Sequence, residues 1–350
     1  MLPSFTESHI SHGSVGLSSV SEFTPLEAHL KSLDLASLAP NIDFSDFQKA
    51  IPALAKDEAA VERIESLLCQ IPTEHRLLLS DARNLESISD ETIHLIVTSP
   101  PYWNLKNYRD TPGQLGHLDD YETFLDELDK VWRECWRVLV KGGRLVIVVG
   151  DVCMSRRKHG RHMVMPLHAS IQERCRLFDF DNLAPIIWYK IANAAYEVSG
   201  NSGFLGKPYE PNGVIKNDIE FILMQRKPGA YRNPSSEARI LSVISQENQR
   251  KWFQQIWSDV PGESTRHHPA PFPLKLATRL IRMFSFAGDT VLDPFAGTGT
   301  TTIAASTTGR NSIGIEIDQA YLELATKRAL EAGMKLREPV YDVEYQASLF

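Results

Sequence analysis

No stretch of the sequence approaches the roughly 20 apolar residues that a membrane helix requires. The longest apolar runs, Leu145 to Val149 and Ile219 to Met224, are of strand length. Nor does a secretory leader pattern open the chain, so a cytoplasmic location without a membrane partner is expected. Cysteine is scarce: Cys69, Cys135, Cys153 and Cys175 form no CxxC pair and have no histidines at ligand spacing. That excludes a disulfide framework and a zinc site, and leaves four free thiols, mostly in the core. Excess basic charge is absent too. A net charge of -7 argues against a protein that coats nucleic acid. It does not exclude a single positive cleft, and Ser155 to His162, with Arg156, Arg157, Lys158 and Arg161, is locally basic.

What is present is enough apolar sequence, 43% of 350 residues, to bury one large core or one core with an appendage. Residues 1–72 are Ser-rich at the start, then acidic and helix-compatible, and are expected to form a partly disordered, partly helical accessory region. From His75 the texture becomes short apolar strands alternating with amphipathic helices, the pattern of a doubly wound α/β domain, assigned here to residues 73–335 with a tail at 336–350. Strands are predicted at Leu77 to Leu79, Ile93 to Val97, Arg144 to Val149, Ala184 to Tyr189, Ile219 to Gln225, Thr290 to Leu292 and Ser312 to Ile317. Helices are predicted at Tyr121 to Val138, closed by Lys141-Gly142-Gly143, and at Leu274 to Phe284. Two irregular segments, about 192–217 and 227–267, are too long for ordinary connections and are expected to be functional or mobile.

Near the C-terminus a strand runs into Asp293-Pro294-Phe295-Ala296-Gly297-Thr298-Gly299-Thr300-Thr301, then a helix, then a strand closing on Glu316. This is a nucleoside-binding βαβ unit: the glycines allow close backbone approach, and an acidic residue at Glu316 can accept both ribose hydroxyls. No lysine follows as a P-loop demands, and Thr302 stands where a dinucleotide fold wants its third glycine. Asp293 at the strand end suits a cationic amino-acid moiety and repels a pyrophosphate. The ligand these features favour is S-adenosylmethionine.

A second turn follows the strand at Ile93: Thr98-Ser99-Pro100-Pro101-Tyr102-Trp103. Two prolines cannot donate and hold φ near about -65°, so the turn is a stiff acceptor platform. An exocyclic amino group on cytosine or adenine is a poor nucleophile because its lone pair is delocalised. Hydrogen bonds from its two protons to the Ser99 side chain and the Pro100 carbonyl would favour a pyramidal nitrogen aimed at a methyl donor. Tyr102 could stack on a base taken out of the duplex.

Together the two motifs resemble the amino-group DNA methyltransferases of bacterial restriction-modification systems. Ser99-Pro100-Pro101-Tyr102 looks like that family's catalytic motif in its cytosine-N4 form, since the adenine-N6 form usually begins with Asp or Asn. Its position before the cofactor motif resembles the permuted, beta group. The resemblance implies a Rossmann-like methyltransferase fold with a mostly parallel seven-stranded sheet, bacterial or phage-encoded, flipping a base of double-stranded DNA. Direct in-line transfer would leave S-adenosylhomocysteine, with no covalent intermediate and no metal. It further implies cofactor contacts from Asp81, Asp293, Phe295, Ala296, Gly297, Gly299, Thr300, Thr301, Glu316 and, in His268 to Pro273, Phe272. Gly113-Gln114-Leu115-Gly116 and Trp188-Tyr189-Lys190 resemble segments flanking the base pocket. Candidate DNA contacts are Trp103, Lys106, Arg156, Arg157, Lys158, Arg161, Arg226 and Arg232, and a companion endonuclease and a homodimer are expected. The rivals are adenine-N6 methylation on the same fold, a nicotinamide-dependent oxidoreductase, and a non-catalytic DNA-binding module.

Overall fold

The computed structural model describes residues 35–105, 109–154, 156–190, 217–263, 273–334 and 336. Three helices, α1 (Leu35–Leu38), α2 (Phe47–Leu54) and α3 (Glu58–Leu68), come first, the last two capped by Asp46 and Asp57 accepting from backbone amides. Their apolar faces bury Leu54, Ile64 and Leu68 against Ile240 and Leu241 of α7 (Ser236–Leu241), and Glu65 pairs with Arg282.

Strands β1 (His75–Leu79) and β2 (Ile93–Thr98) precede α4 (Tyr121–Val138), whose Phe124, Leu128, Val131, Trp132 and Cys135 are fully buried as the helical spacing requires. The next strand differs from expectation. Instead of Lys141-Gly142-Gly143 closing the helix, β3 spans Leu139–Val149 with the glycines inside it. The register against β2 jumps there, and Gly142 at φ 76° lies so close to Ala230 that an added Cβ would stand 2.8 Å from its carbonyl oxygen. The glycines form an irregular bulge in place of a stop.

A hairpin of β4 (Val152–Met154), α5 (Arg156–His159) and β5 (Met163–Met165) then projects from the end of β3. After α6 (Leu167–Leu177) come β6 (Asp181–Tyr189), β7 (Ile219–Arg226), α7, α8 (Gln246–Trp252), β8 (Ile256–Trp257) and α9 (Leu274–Phe284). The chain closes with β9 (Thr290–Asp293), α10 (Thr300–Thr307), β10 (Asn311–Glu316) and α11 (Gln319–Glu331). The sheet order is β1-β10-β9-β2-β3-β7-β6-β8, with β7 alone antiparallel to its neighbours. Seven strands are those the sequence marks, and a two-residue edge strand, β8, is added within a segment expected to be irregular. One face is covered by α4 and α6, the other by α9 and α10, which explains the continuous apolar run of β3. This is a Rossmann-like α/β sheet, and its parallel strands β1, β10, β9, β2 and β3 end on one common edge. In such sheets ligands bind at that edge.

His75, at the start of β1, is 1% exposed, with Ser312 Oγ and Thr73 Oγ1 each 2.8 Å from its ring nitrogens. Burial pushes its pKa down to about 4, and half-buried His94 is shifted the same way. Between about pH 6.5 and 4 the unfolded chain therefore binds more protons than the folded one, and stability falls as pH falls across that window. We expect His75 to contribute about 3 kcal/mol to this loss. Thermal unfolding followed from pH 7 to pH 4 should show a shallower decline in His75→Gln than in the wild type, and parallel curves would contradict this.

Candidate active site

Two turns meet at the carboxyl edge of the parallel strands. Thr98 ends β2 and Asp293 ends β9, its neighbour in the sheet. The Asp293 carboxylate is 5% exposed and accepts three hydrogen bonds. Thr98 Oγ1 donates to Oδ1 at 2.7 Å, as does the Phe295 amide at 3.0 Å, and Thr301 Oγ1 donates to Oδ2 at 2.6 Å. Burial raises its pKa and these three donors oppose that rise. One carboxylate thus ties the strand that carries Ser99 to both ends of the glycine-rich turn. Beside the attraction of a ligand cation expected from the sequence, Asp293 thus has a positioning role. Thr98, adjacent to the Ser99 motif, was detectable in the sequence only once the two strands were known to be neighbours.

Glu316 at the end of β10 performs a parallel service. Its oxygens accept from the Gly297 amide at 2.8 Å and the Asp318 amide at 2.9 Å, and burial pushes its pKa up to about 7. Gly299 takes the left-handed conformation at φ 76° and starts α10, and a Cβ there would stand 3.0 Å from Ala325 Cβ. Its smallness serves the close packing of α10 on α11.

The cleft bounded by these turns opens to solvent on one side and, counting the solvent space at its mouth, spans about 870 Å³. Asp81, Ser99, Pro101, Asp293, Phe295, Ala296, Gly297, Thr300, Thr301 and Glu316 line it. Sequence reasoning missed its roof. Gly113, Gln114 and Leu115, expected beside a base pocket, instead lie over this cleft with Ile317 and Tyr321. Thr111 Oγ1 donates to Asp318, Arg109 lies 5.5 Å from the Tyr321 ring centre, and Arg83 donates to the Gly113 carbonyl. Gly113 has φ 82°, and a Cβ there would meet Ile317 Cδ1 at 2.9 Å. Asp81 is held by Arg83, whose other guanidinium nitrogen reaches Glu127 at 2.5 Å. No lysine or arginine is among the described residues lining the cleft, while three carboxylates are. A flat heterocycle, a ribose and a cationic tail fit this lining, and a pyrophosphate does not.

On the other turn, the Ser99 hydroxyl donates to Tyr102 Oη at 3.3 Å, and Tyr102 Oη donates to the Val148 carbonyl at 3.4 Å. Pro100 and Pro101 are buried beneath the turn. Tyr102 is only 6% exposed, so its hydroxyl, not an open ring face, is what it contributes in this conformation. Trp103, expected to touch DNA, is 5% exposed and packs edge-on against Tyr121 with ring centres 5.2 Å apart; it belongs to the core. Trp188 is core as well, 1% exposed with its indole N–H donated to Val260.

Two more expected DNA contacts are structural. Arg226 pairs with Asp181 at 2.6 Å and Arg232 makes a twin contact to Asp289. Both lie at the opposite edge of the sheet, Arg226 being in register with Arg144 at the start of the buried run of β3. Arg156, Arg157 and Arg161 are exposed on the β4–β5 hairpin, which springs from the ligand edge. Lys106 and Phe272, the side chain of Lys158 and most of segment 192–217 lie outside the described residues. No group of ligating side chains suited to a metal ion occurs among the described residues. The four cysteines are unpaired, Cys135 and Cys175 buried and Cys69 exposed.

A family model described as DNA methylase matches residues 93–327. The Type II methyltransferase M.MjaI of Methanocaldococcus jannaschii is 38% identical over 280 residues, covering 71% of this chain and 89% of the relative. The DNA adenine methyltransferase YhdJ of Escherichia coli is 30% identical over 258 residues, covering 70% and 78% respectively. The crystal structure of a proposed DNA modification methylase from Thermus thermophilus, complexed with S-adenosyl-L-methionine, aligns with a TM-score of 0.64 and 54% identity, covering 77% of this chain and 98% of that one.

If Asp293 is the tie between the two turns, Asp293→Ala leaves the Thr98 and Thr301 hydroxyls and the Phe295 amide without their acceptor. A loss of about 3 kcal/mol or more is expected, since each buried donor left unsatisfied costs about 1–3 kcal/mol. Chemical denaturation would measure it, and a loss below about 1 kcal/mol would contradict the role.

Proposed function

Because this chain belongs to the DNA methylase family, we propose that it transfers the methyl group of S-adenosylmethionine to the exocyclic N4 amino group of cytosine in double-stranded DNA. The observation that carries the reading is the hydrogen-bond chain at Ser99. Its hydroxyl proton is directed to Tyr102, which passes its own to Val148. The Ser99 lone pairs are thereby left for an amino donor at the rim of the cofactor cleft.

S-adenosylmethionine supplies an electrophilic methyl on a sulfonium. The chain's own residues do the rest. Ser99 Oγ accepts one amino proton and the Pro100 carbonyl the other, which draws the nitrogen lone pair out of conjugation and points it across the cleft. The roof of Gly113 to Leu115 and Ile317 would hold the adenine, with Asp81 at its edge, and Glu316 would accept the ribose hydroxyls. Asp293 fixes the distance between the turns and faces the amino-acid cation. The exposed arginines of the β4–β5 hairpin flank the same edge and bind phosphate, positioning the duplex while the target base is flipped. A nicotinamide oxidoreductase would bring its pyrophosphate against a lining that holds the Asp293 carboxylate, which repels it. Protection of a DNA site from a companion endonuclease is the role that fits a type II relative, and a homodimer would extend the grip on the duplex.

Adenine N6 is the second reading, and the similarity to a DNA adenine methyltransferase favours it. Ser99, in place of an Asp or Asn, favours cytosine. To decide, the protein is incubated with S-adenosylmethionine and unmethylated genomic DNA, and the digested nucleosides are quantified by mass spectrometry. N4-methylcytosine lost in Ser99→Ala is expected. N6-methyladenine would move the target to adenine, and no methylated base would overturn the activity.

The raised Glu316 pKa yields a pH test. Ribose hydroxyls donate to the carboxylate form, so cofactor affinity should weaken as pH drops below about 7. The limiting slope is about tenfold per pH unit. Calorimetric titration from pH 8 to pH 5.5 should show this in the wild type and a flat profile in Glu316→Gln. A flat wild-type profile would remove Glu316 from ribose binding.

A further inference from the structure

The cofactor cleft occupies one side of the Ser99 turn, over β9, β10 and β1. The ring of a base whose amino group reaches Ser99 must therefore extend to the other side, over the ends of β3, β7 and β6. A charged pair stands there. Lys190, directly after β6, donates from Nζ to Glu220 Oε1 of β7 at 2.6 Å. Glu220 is 7% exposed, whereas Lys190 keeps 28% of its side chain exposed.

This pair adjoins the catalytic turn through a glycine. The β2–β3 register ends with Thr98 beside Ile147, and the turn that follows brings Tyr102 to Gly150, just past the end of β3. A Cβ on Gly150 would lie 3.2 Å from Glu220 Cγ and 3.4 Å from Tyr102 Cε2, so the missing side chain lets the Tyr102 ring and the Glu220 carboxylate share one space. Lys190 is also held along its length. Its amide donates to the Asp218 carbonyl, its carbonyl accepts from Gly262, and a Cβ at Gly262 would touch its Cγ at 3.0 Å. Its ammonium lies 5.5 Å from the Trp188 ring centre. A long, flexible cationic side chain is thus fixed at the edge of the site, where a surface lysine would ordinarily be free.

We propose that Lys190, oriented by Glu220, is the residue that recognises the ring of the target base, donating to the acceptors N3 and O2 of cytosine. The chemistry supports this assignment. Beside its N4 amino donor cytosine carries two successive acceptors on one edge, which a multi-proton donor such as an ammonium satisfies. On the corresponding edge of adenine, N1 is followed by a C–H, so the same ammonium gains less. Glu220 acts as a positioning residue, and Lys190 contacts the substrate. The proposal rests on the reading of cytosine as the target.

The test compares wild type, Lys190→Met, Lys190→His and Glu220→Gln on genomic DNA at saturating S-adenosylmethionine, with methylated nucleosides quantified by mass spectrometry and cofactor affinity by calorimetry. Loss of the charge-assisted hydrogen bonds to N3 and O2 predicts a fall of at least about 10- to 100-fold in methylation by Lys190→Met, with cofactor affinity within about twofold of wild type. Lys190→His should regain activity as pH falls from 8 to 6 and its imidazole takes up a proton, a profile that a structural strut would not give below its melting temperature. Wild type producing N6-methyladenine overturns the cytosine reading and this inference with it. Wild type producing N4-methylcytosine while Lys190→Met stays within about threefold overturns this inference alone. If Lys190→Met loses cofactor binding, the pH profile of Lys190→His decides, and a profile parallel to wild type overturns the proposal.

Discussion

The Asp293 carboxylate is the constraint on which the site is built. Burying a charged group is expensive unless donors surround it, and here all three donors come from places the chemistry needs held together: Thr98 before Ser99, the Phe295 amide in the cofactor turn, and Thr301 in the first turn of α10. Removing the carboxylate would leave two buried hydroxyls facing each other with no shared acceptor. The adjacency of β2 and β9 in the sheet makes the arrangement possible, although 195 residues separate Thr98 from Asp293. A permuted chain order thereby produces a compact site.

Around that tie the sheet edge divides by charge. The cofactor side gathers carboxylates and excludes described cations from its lining, which selects a nucleoside with a positive tail over one with phosphates. The β3 side carries the Lys190–Glu220 pair and the root of the basic hairpin, where Asp151 accepts from the His168 amide and ring and so fixes the start of α6. The chain is therefore acidic overall and still carries a locally basic hairpin.

Much of this was legible in the sequence, for definite reasons. The α4 and α9 boundaries were clear because their apolar spacing is strongly periodic, and α9 falls on Leu274 to Phe284 as predicted. The Ser99 and Gly297 turns were clear because proline pairs and glycines leave few backbone choices. The β3 bulge was not: Lys-Gly-Gly after a helix normally stops it, and only the tertiary approach of Ala230 to Gly142 turns those glycines into part of a strand. Charged residues were the least legible. Arg226 and Arg232 looked like free cations, yet their partners Asp181 and Asp289 are 45 and 57 residues away. The same long-range pairing hid Lys190 with Glu220 and the anchoring of the cleft roof by Thr111 and Asp318.

A crystal structure with bound S-adenosylhomocysteine measures directly how the cofactor lies between the two turns. The adenine is expected beneath Gly113 to Leu115 against Ile317, the ribose at Glu316, and the sulfur at the end of the cleft nearest Ser99. An adenine at Ser99, with the amino-acid tail beneath the Gly113 roof, would contradict this arrangement.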